Sequence, residues 1–172
     1  LEQIELNLYR GLAPARQGQR IYGGQVVAQA LTAAYRTIEG RLCHSMHAYF
    51  IRPGDPSIPI LFQVDQARDG GSFSVRRVTA IQNGKQIFNL AASFQVPEEG
   101  FEHQDVAPDD VPPPEECLDP KSLASSEGFS EWDAIDMRYV GSSAALLAED
   151  PTRPGRQRFW LRVSGELPDD PL

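Results

Sequence analysis

The sequence predicts an α+β domain in which one helix is followed by a meander of long antiparallel strands. Three observations carry that reading. Apolar residues recur at helical spacing from about residue 24 to residue 38. Four strand-like stretches then follow in quick succession between residues 42 and 96. Turn signals separate those stretches, and Asn83-Gly84 is the strongest of them, a two-residue hairpin pair.

Each element can be justified in order. Leu1 to Arg10 alternates apolar and polar through Ile4, Leu6 and Leu8, which predicts a first strand. A loop from Gly11 to Arg20 contains Pro14 and Gly18. The helix spans about Gly24 to Ile38, with Val27, Ala30, Leu31, Ala34 and Ile38 on one face and Gly40 where a stop is expected. Ala28 and Ala33 add small residues that let a helix lie close to a sheet. The strands are Leu42 to Ile51, Ile58 to Arg68, Ser72 to Ile81 and Ile87 to Val96. In the last of these Phe88, Leu90, Ala92, Phe94 and Val96 share one face. A helix of roughly 14 residues is about 21 Å long, so strands of about ten residues can curl around it. That wrapped helix is the hot-dog arrangement, and residues 1–96 are assigned to it.

Beyond residue 96 the composition changes. Six prolines (Pro97, Pro108, Pro112, Pro113, Pro114 and Pro120) stand among acids and serines, so residues 97–131 are expected to be an extended acidic linker. Residues 132–172 then offer two strands, Trp132 to Val140 and Arg156 to Ser164, with no helix after them. Two strands do not close a domain, so the sequence is expected either to be truncated after Leu172 or to be completed by another chain. The chain opens on Leu1, and its native start is expected further upstream.

Charge excludes some functions. The 172 residues carry a net charge of −8. Nine of the 24 acids fall between residues 97 and 120, which contain no Lys or Arg, so the rest of the chain is nearly balanced against its 16 basic residues. No broad basic face for nucleic acid is expected. No apolar run approaches the ~20 residues that cross a bilayer as a helix. Cys43 and Cys117 are the only cysteines and make neither a disulfide scaffold nor a zinc site with paired ligands. A reducing compartment is expected. Gly71-Ser72-Phe73 and Gly141-Ser142-Ser143 do not complete a G-x-S-x-G nucleophile elbow.

Five motifs between residues 20 and 94 belong together: Arg20-Ile-Tyr-Gly-Gly-Gln25, His44-Ser-Met-His-Ala-Tyr-Phe-Ile-Arg-Pro-Gly54-Asp55, Arg68-Asp-Gly-Gly-Ser-Phe-Ser-Val-Arg-Arg77, Ile81-Gln-Asn-Gly84 and Ala91-Ala-Ser-Phe94. A further stretch, Arg156-Gln-Arg-Phe-Trp-Leu-Arg162, follows the linker. In order and spacing they resemble the type II (TesB-like) acyl-CoA thioesterases. The resemblance implies two hot-dog repeats side by side, further homo-oligomer association, and hydrolysis of fatty acyl-CoA to acid and CoA. Coenzyme A is then part of the substrate, and no cofactor is expected. The family's chemistry uses no covalent nucleophile: an Asp, a hydroxyl residue and a Gln of the second repeat activate a water. In this first repeat Gln25 stands where the Asp would be and Ala92 where the Gln would be, so no catalytic residue is carried over. The implied setting is the cytoplasm in a bacterium and the peroxisome in a eukaryote.

The substrate-binding candidates are Gly23, Gly24, Gln25, His44, Arg52 and Arg76. Gly23-Gly24 could present free amides to a thioester carbonyl or phosphate, or could merely permit a tight turn. Gln25 could bond a water or a pantetheine amide, or satisfy local backbone. His44 and His47, three apart on a strand, are expected on opposite faces, and a structural role is the plainer reading for both. Arg52, Arg76, Arg77 and Lys85 could pair with CoA phosphates, or could be solvated or salt-bridged strand-end charges. Phe73, Phe88, Phe94 and Tyr49 read as core. Two alternatives stand beside the thioesterase: a non-catalytic acyl-CoA-binding or assembly module, and a hot-dog enoyl-CoA hydratase. The latter needs an Asp and a His that Gly23-Gly24-Gln25 does not supply.

Overall fold

Helical and strand periodicities place a small-residue face against an alternating sheet, and the computed structural model shows how the two meet. It describes residues 1–12, 20–123, 135–146 and 155–167. Two units result, residues 1–100 and 101–169, and each is described by itself.

In the first unit a six-stranded antiparallel sheet has the order β1-β2-β4-β5-β6-β3. The strands are β1 (Glu2–Glu5), β2 (Leu8–Gly11), β3 (Leu42–Phe50), β4 (Ile60–Asp69), β5 (Phe73–Gln82) and β6 (Lys85–Gln95). One helix, α1 (Gly23–Tyr35), lies on its inner face. The expected single strand over Leu1 to Arg10 is instead a hairpin. Asn7 turns it with φ at 60°, and Asn reaches that left-handed region without a glycine to mark it.

Helix α1 buries Val26, Ala30, Ala33 and Ala34, whereas the expected Val27 and Leu31 are only partly buried at the flank. Three alanines at 0% exposure bring the helix backbone close to the sheet. The helix also ends three residues earlier than its periodicity predicts. Thr37 N–H donates to Ala34 O at 3.0 Å and Ile38 N–H to Tyr35 O at 2.9 Å, the tight i→i+3 pattern that closes a last turn.

Strands β5 and β6 form the hairpin that Asn83-Gly84 announces. Both turn residues have positive φ, 49° and 69°, as a type I′ turn requires. The register then puts Phe88, Leu90, Ala92 and Phe94 on the inner face, all at most 2% exposed. Phe73 and Tyr49, expected in the core, are 45% and 62% exposed. Phe73 is out of phase with the inner row Ser74, Arg76, Val78, Ala80 and Gln82. Tyr49 pairs with Asn89 on the outer face of an edge strand.

That inner row of β5 contains the charged residue that fixes the helix end. Arg76 is 2% exposed and uses every N–H of its guanidinium. Its Nε donates to Thr37 Oγ1 at 2.7 Å, and its Nη1 donates to the Arg68 and Val75 carbonyls. Its Nη2 donates to Thr37 O at 3.0 Å and Asp69 Oδ1 at 2.8 Å. The candidate role of Arg76 in substrate binding is therefore corrected. The group is walled in and saturated, and it pins the turn after α1 to β4 and β5.

In the second unit β7 (Ile135–Tyr139) and β8 (Phe159–Val163) pair as an antiparallel ribbon. The predicted strand over Trp132 to Val140 is shorter in the described residues, and residues 132–134 lie outside them. Part of the expected extended linker packs on this ribbon. Leu118 and Tyr139 exchange backbone hydrogen bonds at 3.1 and 2.7 Å, and the Trp160 indole N–H donates to Pro112 O at 3.0 Å. A proline-rich segment can dock in this way because its carbonyls stay free to accept. Residues 124–131 of that linker lie outside the described residues.

Two outcomes are expected from the Arg76 network. Arg76→Ala takes the donor from the Thr37 carbonyl and leaves the half-exposed Asp69 carboxylate with the Ser74 hydroxyl, and should lower unfolding free energy by about 2 kcal/mol, read from the urea midpoint. The Ser74 hydroxyl, and next the Arg76 guanidinium, hold the Asp69 carboxyl below its ordinary value of 3.8. A depressed folded-state value means that this stabilisation is fully present above about pH 4 and is lost as pH falls below it. Asp69→Asn should therefore flatten the acid limb of a stability-versus-pH curve and leave its slope near neutrality unchanged.

Candidate functional site

At the N-terminal end of α1 the chain enters the helix without a side-chain cap, because Tyr22 occupies the capping position. The first acceptor, Tyr22 O, takes the N–H groups of Gln25 and Val26 at 3.1 and 3.4 Å. Gly23 and Gly24 thus bring two backbone amides that have no acceptor among the described residues. A Cβ on Gly23 would stand 3.0 Å from the Phe50 ring, so glycine lets that aromatic ring lie against the helix start without a shift.

A cleft of about 360 Å³ opens there. Val26, Phe50, Ile87 and Phe88 give it an apolar lining, and Arg20 and Arg52 supply its positive charge. Arg20 has no hydrogen-bond or ion-pair partner among the described residues, whereas Arg52 donates from Nη1 to Gln86 O. Backbone bonds set the position of Arg52. A register shift opposite Ala80 and Ile81 inserts Ile87 into β6. The Ile87 carbonyl then accepts both Ile51 N–H at 2.8 Å and Arg52 N–H at 3.0 Å. Gly54 closes the far wall, its carbonyl accepting Ile21 N–H at 3.1 Å.

The cleft gathers some candidates and leaves others elsewhere. Gly23 and Arg52 line it, and Gly24 follows directly on the helix. Gln25 does not line it: its Nε2 donates to Leu12 O at 3.0 Å, beside an equal bond from Gln29, and ties the end of β2 to the helix. Arg76 is in the core near the opposite end of α1. His44 is six residues up β3 from Phe50, about 20 Å along an extended strand. Its Nε2 is 2.9 Å from Ser93 Oγ and its ring meets Phe73 edge-on. Arg77 is exposed opposite Asp65 on the outer face, and Lys85 is exposed in the hairpin.

His44 and His47 are not on opposite faces, contrary to expectation. A bulge between Cys43 and Ser45 resets the alternation of β3. His44 joins Ser93, and His47 pairs with Ala91 two positions along the same outer face of β6. Ala92 lies on the inner face at 2% exposure.

Phe50, Arg20 and Gln82 are parts of the site that sequence reasoning did not single out. Phe50 and Arg20 fall within quoted motifs. Gln82 carried a usable signal, being a long amide in phase with the apolar row of β5. The lining residues hold no carboxylate, imidazole, thiol or side-chain hydroxyl. The cleft has room and charge for an apolar chain and an anionic group.

Residues 13–95 match the family model described as the acyl-CoA thioesterase N-terminal domain. Rat acyl-coenzyme A thioesterase 8 is 48% identical over 97% of this chain and 57% of its own length. Acyl-CoA thioesterase 2 of Haemophilus influenzae is 36% identical over 99% of this chain and 62% of its own. Among solved structures, the acyl-CoA thioesterase II TesB2 of Mycobacterium marinum superposes with a TM-score of 0.76 at 40% identity, covering 98% of this chain and 60% of that one. The chain thus spans about three-fifths of the length of these relatives. With the sheet wrapped on one helix and the five motifs in order, the chain belongs to the acyl-CoA thioesterase II family, and its first unit is a hot-dog domain of that family.

Proposed function

We propose that the full-length protein carrying this chain hydrolyses fatty acyl-CoA thioesters to free acid and CoA, and that the hot-dog domain seen here is its non-catalytic half. One observation supports that division of labour most directly. Among the described residues the cleft has binding features, namely two amides without an acceptor, an apolar lining and two arginines, and its lining carries no carboxylate, imidazole, thiol or side-chain hydroxyl.

Hydrolysis needs a base for the water, stabilisation of the tetrahedral oxyanion, and a site for the CoA leaving group. In this reading the base and its hydroxyl and amide helpers come from a second hot-dog repeat. The first repeat supplies wall and charge. Amides at a helix start suit a developing negative charge, and Arg20 and Arg52 suit a phosphate. Pairing of the repeats would also cover β3, an edge strand with Met46, Tyr49 and Phe50 exposed. Further association into a homo-oligomer belongs to the same reading, as do cytoplasmic placement in a bacterium and peroxisomal placement in a eukaryote.

A non-catalytic acyl-CoA-binding module is the reading the cleft favours for the 172 residues alone. Thiol release from medium- and long-chain acyl-CoA at neutral pH, followed colorimetrically, separates the two. The full-length protein should release CoA, and the 172-residue chain should bind a non-hydrolysable acyl-CoA ether without turnover. No release by the full-length protein would refute the thioesterase reading, and release by the chain alone would refute the non-catalytic half. Arg52→Ala in the full-length protein should raise KM for acyl-CoA by about tenfold and leave kcat within about twofold, since a charge-assisted contact is worth about 1.5–3 kcal/mol. Steady-state kinetics check this.

A further inference from the structure

The cleft wall formed by residues 52–54 runs on into a loop that is held by one buried amide side chain outside the cleft. Gln82, the last residue of β5, is 6% exposed and sits in the inward row with Val78 and Ala80. Its Oε1 accepts Asp55 N–H at 2.8 Å, and its Nε2 donates to Asp55 O at 2.9 Å and Ile58 O at 3.0 Å. These partners are 24–27 residues away in sequence, and all are backbone groups of the loop that joins β3 to β4.

That loop reaches the helix start. Gly54, one residue before Asp55, accepts Ile21 N–H, and the Ile21 side chain fills the space where a Gly54 Cβ would stand, 3.0 Å away. Ile21 lies two residues before Gly23, and Arg52 lies two residues before Gly54. One amide therefore bears on both walls of the cleft through Asp55: on the Arg52–Gly54 segment that runs into it, whose Arg52 N–H is also held by Ile87 O, and on the entry to α1 through Gly54 and Ile21. Asp55 turns its own carboxylate to Ser57 N–H and Oγ at 2.8 and 2.6 Å, which tightens the loop from within.

We infer that Gln82 is a positioning residue for substrate binding: it holds Arg52 and the Gly23 amide in register with each other across the cleft. The inference rests on the thioesterase reading for its substrate, but its structural half stands apart from that reading. A buried amide with its oxygen and both nitrogen protons engaged leaves one geometry for the loop. Methionine has nearly the same length and shape and can make none of those bonds.

The test compares Gln82→Met with Val78→Ala in the full-length protein. Val78 is a fully buried β5 residue in the same row, outside the cleft, and serves as a control for simple loss of stability. Two readouts are taken, hydrogen exchange at the Ile21 amide and the steady-state constants for acyl-CoA. Gln82→Met should speed exchange at Ile21 by about tenfold or more, raise KM by about tenfold and keep kcat within about twofold. Val78→Ala, compared with each midpoint in hand, should lower the thermal midpoint while leaving KM near the wild-type value. Unchanged exchange at Ile21 overturns the inference, whatever the enzyme does. Faster exchange with an unchanged KM, or an equal KM rise in Val78→Ala, overturns it as well. A wild-type protein that turns over no acyl-CoA removes the thioesterase reading instead, and the Ile21 amide still decides whether Gln82 holds the helix entry.

Discussion

The Arg76 guanidinium, enclosed between β5 and the turn after α1, is the interaction on which the placement of the helix depends. A buried cation without partners costs several kcal/mol, so surrounding carbonyls and side-chain oxygens must supply an acceptor for each of its five N–H groups. Those acceptors come from Thr37, Asp69, Arg68 and Val75, which are parts of three different elements. They can all be satisfied at one place only if the helix ends where it does. The alanine face of α1 is smooth and would tolerate sliding along the sheet, whereas a five-bonded guanidinium does not. Specificity of position here comes from the polar contact, and most of the cohesion comes from the apolar burial around it.

The same row of β5 governs the other helix end. From Arg76 to Gln82 is six residues, about 20 Å of strand, and the 13 residues of α1 rise by about the same distance. The polar ends of this inward row therefore coincide with the two ends of the helix, and its middle, Val78 and Ala80, packs beneath the alanines. Arg76 contacts the C-terminal turn directly. Gln82 acts through a loop, because an N-terminal end offers N–H groups and the backbone carbonyl of Gly54 is what meets Ile21.

Much of this architecture is legible in the sequence because it rests on local chemistry. Asn83-Gly84 requires a left-handed pair and so fixes the β5–β6 register, and from that register the inner row of β6 follows. The alanine-rich helix and the order of the strands are equally readable. The failures have common causes. Asn7 makes a turn without glycine, so one predicted strand is a hairpin. The bulges near Cys43 and Ile87 each insert a residue that periodicity cannot register, and the one near Cys43 reverses which face His44 occupies relative to His47. Arg76 illustrates a different limit. A charged residue in phase with an apolar row can be a ligand group or a saturated core cation, and only the partners brought from residues 37, 68 and 69 decide between them.

The proposed reading separates binding and chemistry between two repeats of one fold, and the make-up of the cleft bears on how that could work. Its features are mostly backbone features: two amides at an uncapped helix start, a bulge carbonyl that orients Arg52, and a glycine that admits Phe50. Backbone features follow from the fold and persist while side chains change. A general base is a single side chain, so in the proposed reading an amide such as Gln25 in its place would remove it without disturbing any of these elements. The amide then gains a local use, donating to Leu12 O and tying β2 to the helix. Under the proposed division of labour, a repeat without the base would keep its shape, its charge at the rim and its helix-start amides, which are the parts a partner repeat would need from it.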